Sequence, residues 1–362
     1  MIYIAWFIFF FNILQLVIAF INLISRPKLH HVPASYEGLV SVLIPVRNEE
    51  HTIRHILSDM IHQDYKNIEV LVFDDESEDN SAAVINEFTR LDSRIQLISS
   101  TGLPGGWLGK MHACHALSQQ AKGEYFLFLD ADVRINNNAI LKAVTYMQKH
   151  SLGLLSVFPQ QVMKTPGEWL TVPIMNYILL TLLPLILVRF SRFPSLSAAN
   201  GQFMLFQASL YKTFLPHEKM KTNLVEDIGI SRLYKKNRIP VACLVGDETI
   251  QCRMYTGFLA AVHGFSKNTI AFFGNSFFVA VLFWLITTAG FAVVFSFLPF
   301  KIFIIYLTFY LLTRAVVSLI SRQSILLNII CIIPHQIVIA IFISRALINT
   351  LSNRYLWKGR YI

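Results

Sequence analysis

Residues 125–132 read Tyr125-Phe-Leu-Phe-Leu-Asp-Ala-Asp132, an unbroken apolar run followed by two carboxylates one residue apart. Such a run is typical of a strand that is buried on both faces, as in a parallel sheet covered by helices. Further short apolar runs lie on either side of it between Leu39 and Val157, and helical stretches separate them. Strands that alternate with helices predict an α/β domain with a mostly parallel sheet and flanking helices.

The same pattern of apolar runs and helical stretches predicts the position of each strand and helix. A further strand is expected at 202–206, a helix at 225–236 and an amphipathic helix in the membrane interface at 257–274. In sheets of this kind ligands bind beyond the carboxyl ends of the strands, which is where we look for chemistry. The core strands are predicted at 40–44, 68–73, 95–98, 125–129 and 152–157, and the helices between them at 52–62, 81–90, 110–120 and 139–149.

Hydrophobicity points to a membrane protein. Apolar residues make up 54% of the 362 residues, and the mean hydropathy is +0.51. An uncharged run at 2–24 is long enough to span a bilayer, which takes about 20 helical residues, and it lacks the features of a cleaved secretory signal. Similar runs lie at 277–300, 302–320 and 325–343, the second interrupted by Arg314. We expect N-terminal and C-terminal transmembrane helices.

Charge and cysteine content narrow the possible partners. The chain carries 31 Lys and Arg against 22 Asp and Glu, a formal charge of +9. Basic residues beside anionic lipid head groups account for such an excess in a membrane protein. A nucleic-acid partner would need a basic patch interleaved with aromatic residues, and the sequence shows none. The four cysteines have no C-x-x-C spacing and are interpreted as reduced packing residues, as expected in the cytoplasm.

Acidic residues follow two of the predicted strands. Asp74 and Asp75 come after the second strand, and Asp130 and Asp132 after the fourth. Carboxylates gathered at one sheet edge repel each other unless a cation is bound there. Mg²⁺ or Mn²⁺ prefers such oxygen ligands and would bridge them to substrate phosphates. For Asp74 and Asp75 the alternative is a solvated turn, because Asp favours turns and helix caps.

Two loops are candidates for nucleotide contacts. Pro45-Val-Arg-Asn-Glu-Glu50 follows the first strand, and either wraps a nucleotide with Arg47 near its base or phosphate, or is a helix cap formed by Asn48. The glycine-rich stretch 102–110 precedes a helix. Its glycines and Lys110 suit a diphosphate, since backbone amides and a helix N-terminus favour anions. A flexible connection is the alternative.

Two later segments carry a candidate base and a candidate anion contact. Glu226 and Asp227 precede a helical stretch, where a carboxylate would act as general base toward an acceptor hydroxyl. The alternative is a pair of acids favoured by the helix dipole. In Gln251-Cys-Arg-Met-Tyr255, Arg253 would pair with phosphate and Tyr255 stack on a ring. The alternative is a juxtamembrane Arg at lipid head groups.

Taken in order, these segments resemble the family 2 glycosyltransferases, inverting enzymes with a GT-A fold. The resemblance covers about residues 38–274. Within the family the chain is most similar to bacterial membrane enzymes that glycosylate hydrophobic acceptors, such as carotenoid-acid (diaponeurosporenoate) and ceramide glucosyltransferases. The matching segments are Ile44-Pro-Val-Arg-Asn-Glu49, Phe73-Asp-Asp75, Gly109-Lys110, Leu129-Asp-Ala-Asp132, Glu226-Asp227 and Gln251 to Tyr255.

The resemblance implies specific residue roles. Asp75, together with Asp74, would bind the nucleoside. Asp132, with Asp130, would hold Mg²⁺ or Mn²⁺ on the donor diphosphate, and Asp227 would be the catalytic base. The full set of implied contacts with the nucleotide-sugar donor is Pro45, Arg47, Glu49, Asp74, Asp75, Lys110, Asp130 and Arg253.

One departure from the family pattern bears on the product. Processive synthases of the family carry Q-x-x-R-W, whereas Gln251 and Arg253 are only two residues apart and Tyr255 stands near the Trp position. This favours transfer of a single sugar, from a UDP-linked hexose, to a lipid or other hydrophobic acceptor. Two alternatives stay open: a polyprenyl-phosphate sugar synthase, and a non-catalytic membrane scaffold or transporter subunit with a degenerate transferase domain.

The predicted organisation is that of a multi-pass protein of the inner cell membrane. It has an anchor at 1–25, a GT-A domain at 38–274, membrane helices at 275–345 and a basic tail at 346–362. Arg26 and Lys28 follow the anchor and place the GT-A domain in the cytoplasm by the positive-inside rule. One anchor and three full C-terminal spans would leave the tail outside, so one C-terminal run is expected to be re-entrant, with Arg314 marking the doubtful one.

The apolar segment 169–190 is expected to lie in or along the cytoplasmic leaflet without spanning. Pro173 and Pro184 interrupt it, and Arg189 ends it with a charge suited to head groups. The proposed metal ligands precede it and the proposed base follows it, so a span would place them on opposite sides of the membrane.

Overall fold

The computed structural model describes residues 1–25, 29 and 36–352, and the backbone of 356–357 and 360–361. Arg26 and Lys28, the predicted cytoplasmic flank of the anchor, lie outside the described residues, as do the side chains of the tail from 353 onward. The chain divides into two compact units. The sheet unit comprises Pro27–Gln160 and Leu185–Arg253, and the helical unit comprises Met1–Arg26, Gln161–Pro184 and Met254–Ile362.

The helices are α1 (Ile2–Ile24), α2 (Ile53–Ile61), α3 (Ser81–Leu91), α4 (Gly109–Gln120), α5 (Ala139–Lys149), α6 (Pro166–Trp169), α7 (Pro173–Leu182), α8 (Ile186–Phe190), α9 (Ala208–Phe214), α10 (Pro216–Lys219), α11 (Glu226–Lys236), α12 (Phe258–Asn268), α13 (Phe277–Phe297), α14 (Phe300–Ile320), α15 (Ile325–Ile330) and α16 (Ile332–Ser352), with a short 3-10 helix at Thr269–Phe273. The strands are β1 (Val40–Val46), β2 (Ile68–Asp74), β3 (Ile95–Ser99), β4 (Tyr125–Leu129), β5 (Val133–Ile135), β6 (Leu154–Phe158), β7 (Gln160–Gln161), β8 (Phe203–Gln207), β9 (Val241–Val245), β10 (Ile250–Cys252), β11 (Leu356–Trp357) and β12 (Arg360–Tyr361).

The central sheet has the strand order β3–β2–β1–β4–β8–β6–β9. Strands β1 to β4 are parallel, and β6 is parallel to β9. β8 lies between β4 and β6 and is antiparallel to both, so the sheet is mostly but not wholly parallel. The sequence-based α/β prediction is confirmed. A smaller sheet has the order β5–β10–β7.

Apolar periodicity explains why these segments pack as they do. The first five residues of β1 are all buried, as expected for a strand covered on both faces. On α2 the buried residues Ile53, Ile56, Leu57 and Met60 recur at helical spacing and form one apolar stripe against the core. The core therefore lies between the sheet and its flanking helices, and the loops at the strand ends remain at the rim.

The described residues include four helices that are long and apolar enough to cross a membrane, namely α1, α13, α14 and α16. The expectation of one apolar helix at 325–343 is wrong. The chain breaks at Cys331 and restarts as α16, which continues to Ser352. Pro334 explains the break, because proline has no N–H to donate and is tolerated only in the first turn of a helix.

Proline also divides the segment 169–190. It consists of α6, α7 and α8 rather than one helix, and α7 begins at Pro173. α7 has ten residues and is about 15 Å long, half the thickness of a bilayer core. In the helical unit α7 packs along the C-terminal half of α1: Gln15 donates to the Tyr177 hydroxyl at 3.4 Å and to Thr181 Oγ1 at 3.2 Å.

Candidate functional site

The carboxyl ends of the parallel strands meet at one edge of the sheet unit. Val46 of β1 lies opposite Asp74 of β2, and β4 ends one residue before Asp130. β8 runs the other way, so it begins at this edge: Phe203 pairs with Leu129. The turn before β8 therefore joins the carboxylates that the sequence places here. The Asp130 N–H donates to the Gln202 carbonyl at 3.2 Å.

Asp132 is held between the two sheets. β5 starts at the next residue and pairs with β10, where Val133 lies opposite Cys252. The Gln202 side-chain amide donates to Asp132 Oδ2 at 3.5 Å and to Cys252 Sγ at 2.8 Å. The other oxygen, Asp132 Oδ1, is buried and has no hydrogen-bond partner in the described part of the chain. Burial, then the charges of Asp130 and Glu49, raises the pKa of Asp132 to about 7.

Lys110 joins the carboxylates of two elements. Its Nζ lies 2.8 Å from Asp130 Oδ1 and 3.4 Å from Glu226 Oε1. Although burial lowers the pKa of Lys110, Asp130 and Glu226 together raise it well above its usual range. The amine therefore stays charged and partly neutralises a cluster of acids. The sequence predicts that Lys110 contacts a diphosphate. In the structure Lys110 lies beside the carboxylates at the same edge of the sheet.

Asp227 lies in the first turn of α11, next to Glu226. Its Oδ2 accepts the Gly201 N–H at 3.1 Å, and its Oδ1 accepts the Ile228 N–H at 2.7 Å. Burial, then the neighbouring charge of Glu226, raises the pKa of Asp227 to about 7. A carboxylate with such a pKa is suited to accept a proton near neutral pH.

Gly201 allows Lys110, Glu226 and Asp227 to lie close to the backbone because it has no side chain. A Cβ atom at this position would lie 3.1 Å from Lys110 Nζ and 3.1 Å from Glu226 Oε1. It would also lie 3.9 Å from Asp227 Cβ. The backbone of the turn before β8 thus forms one wall of the site.

The loop after β2 carries Asp75, the residue predicted to bind a nucleoside. Asp75 is 2% exposed, and the Arg47 guanidinium donates to its backbone carbonyl at 2.6 Å and to that of Glu76 at 2.9 Å. Arg47 therefore braces this loop, and its contact with the base or phosphate of a nucleotide stays a prediction. Asp74 Oδ1 accepts the Ser77 N–H at 3.3 Å, which is the turn-forming role considered as its alternative.

The remaining predicted residues lie around the same edge. Pro45 is within β1, opposite Phe73, and Arg253 directly follows β10. Glu49 accepts a hydrogen bond from Thr52 Oγ1 at 2.5 Å and contributes negative charge to the surroundings of Asp132. In the glycine-rich loop, Gly102 and Gly106 have positive φ angles of 109° and 77°, conformations that favour glycine.

The residues fit a divalent cation that is shared with a substrate. Among the described residues no three His, Cys, Asp or Glu side chains are grouped to hold a metal on their own. Mg²⁺ sites commonly use one or two carboxylates and complete their coordination with substrate phosphates and water. Asp132, with a buried oxygen that lacks a partner, and Asp130 two residues earlier supply such a pair.

Sequence reasoning missed Gly201, Gln202 and Cys252. The predicted site residues follow the carboxyl ends of parallel strands. Gly201 and Gln202 instead precede the antiparallel strand β8, and Cys252 ends strand β10 of the smaller sheet. The available signal was Asn200-Gly-Gln202, a turn sequence directly before an apolar run.

Comparison with known proteins gives three results. Residues 41–215 match the family model "Glycosyl transferase family 2". The 4,4'-diaponeurosporenoate glycosyltransferase of Staphylococcus haemolyticus is 26% identical over 238 residues, which are 63% of this chain and 60% of the relative. That of Staphylococcus aureus is 27% identical over 258 residues, 68% of this chain and 65% of the relative. The matches thus cover less than two thirds of these relatives.

A solved structure extends the likeness to nearly the whole chain. The mannosyltransferase from Pyrobaculum calidifontis, in complex with GDP-Man and Mn²⁺, has a TM-score of 0.60 at 16% identity and covers 96% of this chain and 98% of its own. Identity this low shows a shared fold, here the GT-A fold. The family match includes the β1 loop, Asp75, Lys110 and Asp132. Residues 41–215, nearly half of the chain, are therefore similar to glycosyl transferase family 2.

Proposed function

We propose that the protein transfers a single sugar from a nucleotide-linked donor, a UDP-hexose, to a lipid or other hydrophobic acceptor, with inversion and with Mg²⁺ or Mn²⁺. The observation that carries the proposal is the buried oxygen of Asp132, which has no hydrogen-bond partner in the part of the chain that is described and lies at one edge with Asp75, Lys110 and Asp227. The names of the staphylococcal relatives support a carotenoid-acid type of acceptor.

The proposed roles follow from the position of each group. Asp75, on the loop that Arg47 braces, binds the nucleoside, and Asp130 and Asp132 would hold the cation. When bound, that cation supplies positive charge to the leaving diphosphate. Asp227 takes the proton of an acceptor hydroxyl as its oxygen attacks the anomeric carbon opposite the diphosphate. A carboxylate acceptor arrives ionised and depends less on the base.

Donor hydrolysis tests whether the protein is an enzyme. The detergent-solubilised protein should hydrolyse a UDP-sugar slowly in the absence of acceptor, and only with Mn²⁺ or Mg²⁺ present. No turnover and no nucleotide binding would favour the non-catalytic scaffold. Transfer to a polyprenyl phosphate and not to other lipids would favour the polyprenyl-phosphate sugar synthase.

The substitution Gly201→Ala should lower turnover by up to about 10-fold, because a misplacement of about 1 Å costs on the order of 100-fold and the contacts at Gly201 require a smaller shift. The new methyl group would meet Lys110 Nζ and Glu226 Oε1 at 3.1 Å and force both to move. Steady-state kinetics would be measured together with thermal unfolding, which should change little. Wild-type turnover in the folded variant would contradict the close packing of this turn against the site.

We also propose that the catalytic domain faces the cytoplasm and that α15 and α16 form a re-entrant hairpin. Near the start of α16, the Gln336 carbonyl accepts the Trp284 Nε1–H at 2.9 Å. Gln336 Oε1 accepts from Thr287 at 3.2 Å and from Thr288 at 2.9 Å. These partners lie in the middle of α13, so α16 begins at mid-depth of the helical unit and not at its far end.

The later part of α16 runs toward the helix that precedes α13. The rings of Phe342 and Phe265 are 5.6 Å apart, and Arg345 lies 3.3 Å from His263 of α12. α16 therefore ends on the side where α13 begins. With α1, α13 and α14 as the crossings, the N-terminus is outside and the C-terminus shares the cytoplasmic side. The break at Cys331, and not Arg314, then marks the re-entrant run.

Labelling of single cysteines with an impermeant reagent tests this topology. In a cysteine-free background, Thr165→Cys, Ser195→Cys and Ser352→Cys should label from one side of the membrane. Lys301→Cys, between α13 and α14, should label from the other side. If position 352 labels with position 301, α16 spans and the hairpin is wrong. If positions 165 and 195 label from opposite sides, the segment 169–190 spans and the shared active site is wrong.

A further inference from the structure

Arg314 is a buried cation in the apolar helix α14. It is 3% exposed, and its guanidinium lies 3.6 Å from the centre of the Tyr177 ring. Its Nη2 donates to the Tyr310 hydroxyl at 3.3 Å. Its Nε is buried and has no hydrogen-bond partner within the described ranges. The two tyrosines contact the cation, but neither carries a compensating negative charge.

The helical unit offers this cation no carboxylate. Glu168 is the only acidic residue in the sequence of that unit. Its Oε2 accepts the Lys164 N–H at 2.6 Å, and its Oε1 accepts the Gly257 N–H at 3.1 Å. A buried cation without a counter-ion is unfavourable in protein or lipid, and an ionisable residue in a membrane segment commonly marks a functional site.

The direction of the side chain argues against an ordinary head-group contact. Arg314 is six residues from the last residue of α14, about 9 Å along the helix. A snorkelling Arg would extend toward that nearby end. Its guanidinium instead bonds to Tyr310, one turn farther from the end. Tyr310 also accepts the Gln336 amide at 3.4 Å, so the cation lies where α7, α14 and the start of α16 meet.

We infer that Arg314 binds the oxyanion, carboxylate or phosphate, of a membrane-soluble ligand, and that this ligand is the acceptor; the second clause rests on the proposed function. A planar guanidinium suits a carboxylate or phosphate, because it presents several N–H donors in a fixed fork. The Nε–H is available for such a bond. Binding by Arg314 would select acidic lipids and retain them in the helical unit.

Direct binding tests the site without requiring activity. Radiolabelled oleate would be titrated against the full-length protein in phosphatidylcholine nanodiscs. Wild-type protein should bind oleate at least 10-fold more tightly than Arg314→Leu, and should bind oleyl phosphate but not methyl oleate. Arg314→Lys, which keeps the charge but not the planar fork, should bind oleate more tightly than Arg314→Leu. Arg314→Gln, an uncharged polar replacement that covers the case that Arg314→Leu fails to fold, should lose oleate affinity to the same extent as Arg314→Leu. Arg345→Leu, which removes an exposed charge from α16, should bind like wild type.

Three outcomes would overturn the inference. Equal oleate affinity in wild type and either folded Arg314 variant that lacks the charge would exclude an anion contact. Binding of methyl oleate to the wild type as tightly as oleate would show that Arg314 does not recognise the anion. Competition by phosphatidylglycerol added to the nanodiscs would show that a bulk head group occupies the site. Donor hydrolysis tests the proposed function separately from this inference. Arg314→Leu should keep donor hydrolysis while it loses oleate binding, whereas a wild type without metal-dependent turnover would contradict the proposed function itself.

Discussion

The substitution Asp132→Ala is expected to lower sugar transfer about 10²–10³-fold, the range found when one preorganised electrostatic group is removed from an active site. Its Oδ1 is the buried carboxylate oxygen that has no hydrogen-bond partner among the described residues, and a cation on the donor diphosphate would use it. Affinity for Mn²⁺ in the presence of the nucleotide, measured by calorimetry, should fall in parallel. The fold should persist, because Asp132 forms no ion pair with any of the residues that the structure describes.

The control for this substitution is Glu87→Ala, which removes a carboxylate from the surface of the same unit. Glu87 pairs with Arg54 at 2.7 Å, and both side chains are about half exposed. Exposed pairs contribute little to stability, so this variant should behave as wild type. Near wild-type transfer by Asp132→Ala at moderate Mn²⁺ would show that the metal assignment is wrong.

The substitution Asp227→Asn should preserve donor binding and lower transfer to a hydroxyl acceptor by about 10²–10⁴-fold, the usual contribution of a general base. Asn keeps the size of the side chain and can still accept the Gly201 N–H, but it cannot take up a proton. Nucleotide affinity and turnover would be measured on the same preparation. If both fall equally, Asp227 binds the donor or supports the fold and is not the base.

The pH dependence of kcat/KM provides a second test of Asp227 as the catalytic base. A base works only when deprotonated, and burial with the nearby Glu226 raises the pKa of Asp227 to about 7. With saturating metal, kcat/KM of the wild type should therefore fall as pH decreases below about 7 and level off above it. The residual activity of Asp227→Asn should lack this step. A step that persists in the variant would assign the titration to another group.

The acidic residues at this edge of the sheet could be predicted because the strand and the carboxylates that follow it are neighbours in the sequence. The core strands are short, mainly apolar runs, and Asp74 and Asp130 directly follow two of these runs, each with a second Asp within two residues. Strand direction is not local. The run that forms β8 has the same composition whichever way it lies, and only its pairing between β4 and β6 shows that it is antiparallel. This is why Gly201 and Gln202 could not be assigned to the site from the sequence.

Membrane topology was less predictable for a related reason. Hydropathy measures whether a run is long and apolar enough to span, and α16 meets both conditions. Whether it spans depends on its neighbours, and the contacts of Gln336 place its start at the middle of α13. The role of Arg47 also depends on distant carbonyl groups, which a loop sequence does not reveal.

Mass spectrometry of lipid extracts tests the central claim, single-sugar transfer to a lipid by the Asp132 site, most directly. Cells expressing the wild-type protein would be compared with cells expressing equal amounts of Asp132→Ala. The account predicts a lipid species that is heavier by one hexose residue in the wild type and that is strongly depleted in the variant. Identical lipid profiles from the two strains, or a ladder of products with many sugars, would contradict it.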